Sequence, residues 1–290
     1  MNYYNDNDKF CSKWLKDLIK AKLIPCGEVD DRSIKEISPK ELQGYKQCHF
    51  FAGIGGWAYA LRLAGWPEDK PVWTGSCPCQ PFSIAGKGQG VNDNRHLWPA
   101  FRWLISQCRP ATIFGEQVAS KAGREWLSGI RLDLEAMGYV FGAADLCSAG
   151  VGAPNIRQRL FWVADAKHSE WRKKNATGHQ HNRKDAGREK APGGSAACGS
   201  FDIRLANYES ERFGKTRECI GGQAQGTPWS KSTDIECRDG KRRRIPIEPA
   251  LSPLAPGLPK RVGLLRGAGN SINPWVAKIF IEAFMDWQPR

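Results

Sequence analysis

Two cysteines, one residue apart on a proline-rich segment, are the residues of this 290-residue chain best suited by type and spacing to covalent chemistry. The segment reads Gly75-Ser76-Cys77-Pro78-Cys79-Gln80-Pro81-Phe82-Ser83 and follows the run from Pro71 to Gly75, predicted as a strand. A cysteine fixed between prolines at a strand's end is exposed and conformationally restricted, as a nucleophile should be, whereas a structural cysteine usually sits inside an apolar stripe. Cys79 meets that description, with Cys77 as its competitor. Glu116, at the end of a second predicted strand that begins at Ala111, offers a carboxyl for proton transfer. Arg157 and Arg159 offer guanidinium groups at the head of an apolar run from Leu160 to Ala164. Taken singly, Glu116 reads equally well as an ordinary exposed carboxylate, and the two arginines as a solvated strand face.

Positioning such groups requires a scaffold, and the apolar spacing describes one. The run Cys48 to Ala52 predicts a buried strand, followed by the loop Gly53-Ile54-Gly55-Gly56 and a helix from Trp57 to Ala64 that stops at Gly65 and Pro67. The loop lacks the spacing of a dinucleotide fingerprint and the Lys-Ser/Thr pair of a phosphate-binding P-loop. Its physical use would be to let a ligand approach backbone between a strand's carboxyl end and a helix's amino end; the alternative is a tight turn that binds nothing. Leu97, Trp98, Phe101, Leu104, Ile105 and Cys108 form one helical stripe, and Trp126, Ile130, Leu134 and Met137 another that Gly138 closes. Strands follow near Tyr139 to Ala143 and Leu160 to Ala164. This alternation predicts an α/β fold with a largely parallel sheet covered on both faces.

The ends and the middle differ in character. Phe10 to Leu23 has helical spacing and is stopped by Pro25 and Gly27, so residues 1–45 are expected to form a helical preface. Residues 46–165 read as the core. From Asp165 to about Arg244 the chain is rich in Lys, Arg, Gly, Asn and Ser with little periodicity, which predicts a loop-rich module over 166–250. Ile272, Val276, Ile279, Phe280, Ala283, Phe284 and Trp287 restore a helical stripe, so 251–290 is expected to return to the core. The formal net charge is +13, and between Ala166 and Pro246 there are 18 basic against 10 acidic residues. Such a surplus suits a polyanion, although any single basic cluster serves equally as a solvated surface. The ten cysteines are scattered without CxxC pairs or a zinc-ligand pattern, so reduced thiols and no metal are expected. No apolar run nears the ~20 residues of a membrane helix, and the opening residues are unlike a secretory signal; a cytoplasmic location is expected.

Five segments in order resemble the DNA (cytosine-5-)-methyltransferase family. Phe51-Ala52-Gly53-Ile54-Gly55-Gly56 looks like its donor-binding motif, Pro78-Cys79-Gln80 like its catalytic motif, and Glu116-Gln117-Val118 like its Glu-Asn-Val. Arg157-Gln158-Arg159 looks like its Arg-x-Arg pair and Gly269-Asn270-Ser271 like its closing Gly-Asn-Ser/Ala. The resemblance implies a Rossmann-like fold dependent on S-adenosyl-L-methionine, with helices on both faces of the sheet and a smaller, loop-rich target-recognition region. It implies catalytic roles for Cys79, Glu116, Arg157 and Arg159. Donor contacts are implied at Phe51, Ala52, Gly53, Ile54, Gly55, Gly56, Gly75, Pro78, Asn270 and Ser271, and contacts with double-stranded DNA at Gln80, Ser83, Lys241, Arg242, Arg243 and Arg244. Cys79 would add to carbon 6 of cytosine and make carbon 5 reactive, Glu116 would meet the charge on ring nitrogen 3, and Arg159 would hold the exocyclic oxygen. The base must leave the stack for this, and the basic stretch, with Trp229 and the histidines at 168, 179 and 181, would hold the opened DNA. The compact size suits a bacterial or phage modification enzyme, and the resemblance implies a monomer.

The chain departs from the pattern in one large respect. Only 18 residues separate Gly56 from Gly75, too few for the strand, helix and strand that usually follow the glycine loop and hold the donor's ribose and adenine. The segment from Glu28 to Ile34, with Asp30 and Asp31, is expected to supply those contacts, as though that part of the fold had moved ahead of the loop. Gln117 and Asn155 exchange one amide for another. The same motif set on tRNA is the closest alternative, followed by a donor-deficient DNA-binding relative; methylation of an exocyclic amine lacks its Asp/Asn-Pro-Pro-Tyr/Phe motif.

Overall fold

Two tyrosines between two asparagines, Asn2–Asn5, form the short strand on which the sheet turns. In the computed structural model, which describes residues 1–78, 97–153, 155–166, 232–236, 240, 242–246, 267 and 269–287, β1 (Asn2–Asn5) lies between β2 (Gly27–Asp30) and β3 (Gln47–Phe50) and runs parallel to both. All four β1 residues are buried. Tyr3 and Tyr4 point to opposite faces and enter different apolar clusters. The two asparagines find the partners that burial demands: Asn2 donates to Gln47 Oε1 at 3.1 Å, and Asn5 to the carbonyls of Asp30 and Arg32 at 3.2 and 2.8 Å. The expectation of a helical preface over 1–45 is corrected here. The helix is present as α1 (Lys9–Lys20), capped by Asp8, which accepts from the amides of Phe10 and Cys11, but it connects two strands of the main sheet.

From β3 the chain passes through α2 (Gly56–Leu63) to β4 (Val72–Gly75), then through α3 (Trp98–Cys108) to β5 (Thr112–Val118), each strand parallel to the last. After α4 (Lys121–Ala136), β6 (Val140–Cys147) and β7 (Gln158–Asp165) add an antiparallel edge, giving the order β2-β1-β3-β4-β5-β7-β6. Side chains alternate across the strands. Phe50, Ile113 and Trp162 pack with Phe101 of α3 and Ile130 of α4, while Phe114 and Phe161 pack with Trp57 of α2 and Val276 of α5 (Pro274–Trp287). Burying both faces with α1, α2 and α5 on one side and α3 and α4 on the other yields the α/β fold predicted from the alternation. A separate two-stranded hairpin joins β8 (Ser232–Glu236) to β9 (Arg242–Pro246), so the stretch expected to lack periodic structure contains at least this element.

His49 sits fully enclosed in β3. Its ring stacks on Tyr4 with centroids 4.9 Å apart, Nδ1 lies 2.9 Å from Thr74 Oγ1, and Nε2 has no hydrogen-bond partner among the described residues. Burial pushes its pKa down to about 3. The unfolded chain takes up this proton near pH 6.5 and the native state refuses it, so the contribution is intact above pH 6.5 and lost as pH falls toward the native value. Between pH 6.5 and 5 this residue should remove about 2 kcal/mol of stability, at about 1.4 kcal/mol per pH unit. Urea unfolding at the two pH values should show His49→Leu losing less stability than wild type by that amount; equal losses would remove His49 as the cause.

Candidate active site

Crossovers leave β1 and β3 in opposite directions, β1 outward to β2 and β3 inward to β4, and a crevice opens where adjacent strands part in this way at their carboxyl ends. On the β3 side the chain turns sharply, with positive φ at Phe51 (52°), Gly53 (55°) and Gly55 (81°), the last capping α2 in a left-handed conformation that glycine adopts without strain. A Cβ added to Gly53 would meet none of the described residues within 4 Å, so among them the space above the loop is open. At Gly56 a Cβ would come within 2.8 Å of Ile272 Cγ1 and 3.0 Å of Ser271 Oγ, because the closing segment before α5 lies directly on the loop. On the β1 side, Asp6 follows the strand and reaches across: its Oδ2 accepts the Gly53 N–H at 2.7 Å and its Oδ1 the Asp8 N–H at 2.9 Å.

Asp6 is the carboxylate at this loop that the sequence did not single out. The expected acids were Asp30 and Asp31, but β2 is separated from β3 by β1, so they belong to the next loop outward. The Asp30 carboxylate receives the Tyr3 hydroxyl at 2.7 Å and the Arg32 guanidinium at 2.7 to 3.2 Å, and Asp31 is exposed. Burial alone would raise the pKa of Asp30, but Arg32 and Tyr3 together hold it below the ordinary carboxylate value. Asp6 had one legible signal, its place between a short aromatic pair and the Asp8 cap.

Beyond the glycine loop, β4 ends at Gly75, where a Cβ would come within 2.5 Å of the Phe101 ring. Ser76 accepts from Trp57 Nε1 at 3.0 Å. Cys77 is buried in the core with Trp98 and Phe101, and its carbonyl accepts from Gln117 Nε2 at 3.3 Å. It is therefore an anchor for the strand tip rather than an exposed thiol, which removes it as the competing nucleophile. Pro78 follows, half-buried; Cys79, Gln80, Ser83, Lys241, Trp229 and the histidines at 168, 179 and 181 lie outside the described residues. Arg242, Arg243 and Arg244 lie on β9.

Glu116, 9% exposed, receives Arg159 Nε at 2.8 Å on Oε1. The β5–β7 register makes the pair: Glu116 faces Phe161 and Val118 faces Arg159, so the two charged residues share one face as diagonal neighbours. Burial raises the Glu116 pKa, against the opposing pull of Arg159, Arg157 and a hydrogen bond with Ser76. A carboxyl so placed can hold or share a proton with a ring nitrogen, and the guanidinium beside it can grip a carbonyl oxygen. Arg157, expected to act with them, is turned elsewhere. Its Nη2 donates to the carbonyls of Gly269 and Ser271, both at 2.9 Å, on either side of exposed Asn270. Removing one member of the Glu116–Arg159 pair strands a buried charge. Arg159→Ala should cost about 3 kcal/mol in urea unfolding, and adding Glu116→Gln should recover part of it; a cost near zero would mean that the pair is solvated.

The sequence profile of the family described as C-5 cytosine-specific DNA methylase matches residues 66–215, just over half of the chain. Type II methyltransferase M.HhaI of Haemophilus parahaemolyticus is 26% identical over 167 residues, covering 44% of this chain and 51% of that protein. M.AplI of Arthrospira platensis is 32% identical over 34% of this chain and 30% of its own length, and M.NaeI of Lentzea aerocolonigenes 37% identical over 31% and 22%. The chain thus spans about half the length of M.HhaI and less of the other two. The matched stretch begins at Trp66, after the glycine loop, and takes in the β4 tip, Glu116 and Arg159. With these groups gathered at one end of the sheet and more than half of its residues matched, the chain belongs to the C-5 cytosine-specific DNA methylase family.

Proposed function

We propose that the protein transfers a methyl group from S-adenosyl-L-methionine to carbon 5 of a cytosine flipped out of double-stranded DNA, through a covalent bond to Cys79. The observation that carries this reading is the buried Glu116–Arg159 pair, tied through Gln117 and Cys77 to the strand tip that leads by way of Pro78 to Cys79. In this reading the Cys79 thiolate adds to carbon 6 and pushes electron density onto carbon 5. Glu116 meets the charge that develops on nitrogen 3, and Arg159 holds the exocyclic oxygen. When bound, S-adenosylmethionine supplies the electrophilic methyl group. The carbon-5 proton then leaves to a base, the electron pair reforms the ring double bond, and Cys79 departs.

The crevice suits such a donor. Gly53 leaves open space for close approach to backbone, Asp6 presents a carboxylate at the loop for ribose hydroxyls, and Gly75, Pro78, Asn270 and Ser271 belong to the neighbouring strand tip and closing segment. In this reading Asp6 serves the ribose, and Asp30 and Asp31, one loop further out, are left to the adenine end. The basic surplus and the arginines of β9 suit phosphate contacts, and with Lys241, Gln80 and Ser83 they are the proposed DNA-contacting residues.

Incubation of wild type and Cys79→Ser with radiolabelled S-adenosylmethionine and either unmethylated DNA or tRNA tests the reaction and its substrate. The expected result is 5-methylcytosine in DNA at a short sequence motif, made by wild type alone; label in tRNA only, or transfer by Cys79→Ser, would overturn the proposal. Asp6→Ala should raise the donor KM about tenfold, the loss of one charge-assisted hydrogen bond, and an unchanged KM would return the ribose role to another residue.

A further inference from the structure

The two arginines of the Arg-x-Arg segment are divided by their partners. Arg159 is bound to Glu116 at 2.8 Å, while the two side-chain hydrogen bonds that Arg157 makes among the described residues run to carbonyls more than a hundred residues along the chain, at Gly269 and Ser271. Its Nε is buried and has no hydrogen-bond partner among the described residues, and within those residues it is the two carbonyls that hold the guanidinium. Those carbonyls flank Asn270, which is exposed. The residues that follow are fixed from the other side: Ser271 Oγ and Ile272 press on Gly56, and Ile272 is buried among the α2 and α5 side chains. A peptide gripped at the carbonyl on each side of one residue, and packed on a glycine loop beyond it, has little backbone freedom left at that residue while its side chain stays accessible.

We propose that Arg157 is a positioning residue for the methyl donor and not a contact of the base: it clamps the backbone around Asn270 so that this side chain is presented, already ordered, to a donor in the crevice above Gly53–Gly56. This rests on the methyl-transfer reading above. One segment then serves both substrates, Arg159 on β7 the nucleotide and Arg157, just before the strand, the donor. Ordering Asn270 before binding spares the donor the entropy of doing so, which shows as affinity and leaves the chemical step untouched.

The test is equilibrium titration of the full chain with S-adenosylmethionine in the absence of DNA, paired with steady-state methylation at saturating donor. Arg157→Gln should weaken donor binding about tenfold or more, with kcat recovered to within about threefold of wild type once donor saturates. Arg157→Lys, which keeps a charged donor of shorter reach, should fall between the two and decides the matter if the glutamine variant does not fold. Arg159→Lys should show the opposite pattern, unchanged donor affinity and a kcat lowered about tenfold or more. Donor affinity unaltered by Arg157→Gln or Arg157→Lys, or a kcat that saturation does not recover, would overturn the clamp while leaving the methyl-transfer reading in place. A wild-type protein that binds no donor would overturn both.

Discussion

Parallel strands cannot be joined by a tight hairpin; each neighbour must be reached by a crossover long enough to hold a helix, and the order in which crossovers are laid down decides where a sheet can open. Here β1 pairs on both edges, with β2 on one side and β3 on the other. That double pairing places Asp6 against Gly53, sends α1 and α2 to the same face, and opens the crevice between two loops that would otherwise be remote in sequence. Pairing geometry, not proximity along the chain, assembles the candidate donor site.

The second constraint is electrostatic. Burying Glu116 and Arg159 is costly for each charge alone and tolerable together, and the antiparallel β5–β7 ladder fixes the diagonal that lets the guanidinium reach the carboxylate. Around this pair the neutral polar groups are also committed: Gln117 to the Cys77 carbonyl and to the Val118 amide, Ser76 to Trp57. The strand tips are thereby held in fixed relation before any substrate arrives, the condition under which a charge developing on a ring nitrogen can be met without reorganising the protein.

Much of this was legible in the sequence, and the failures have physical reasons. The glycine loop, the strand bearing Glu116, the strand headed by the two arginines and the helical stripes announce themselves because buried helices and central strands demand long apolar patterns. β1 does not, since Asn-Tyr-Tyr-Asn has polar ends and only four residues; its burial follows from flanking strands that satisfy Asn2 and Asn5, and no local pattern encodes them. For the same reason Asp30 was a reasonable expectation and Asp6 was not: choosing between them requires knowing which strand neighbours β3. The partners of Arg157 are likewise invisible in sequence, because backbone carbonyls carry no residue signature. Cys77 could be told from Cys79 by its neighbours in sequence, and its burial against Trp98 and Phe101 supplies the physical ground.

The place of β1 between β2 and β3 bears on how the chain is made. β1 precedes both strands that flank it in the chain, so its two hydrogen-bonding edges are paired only once β2 and then β3 have been made. α1 and β2 arrive next and shield only one edge; the other stays open until β3 has left the ribosome. A strand of only four residues with an asparagine at each end is well matched to that interval, since its shortness and polar ends limit pairing with a stray chain before its own partner arrives.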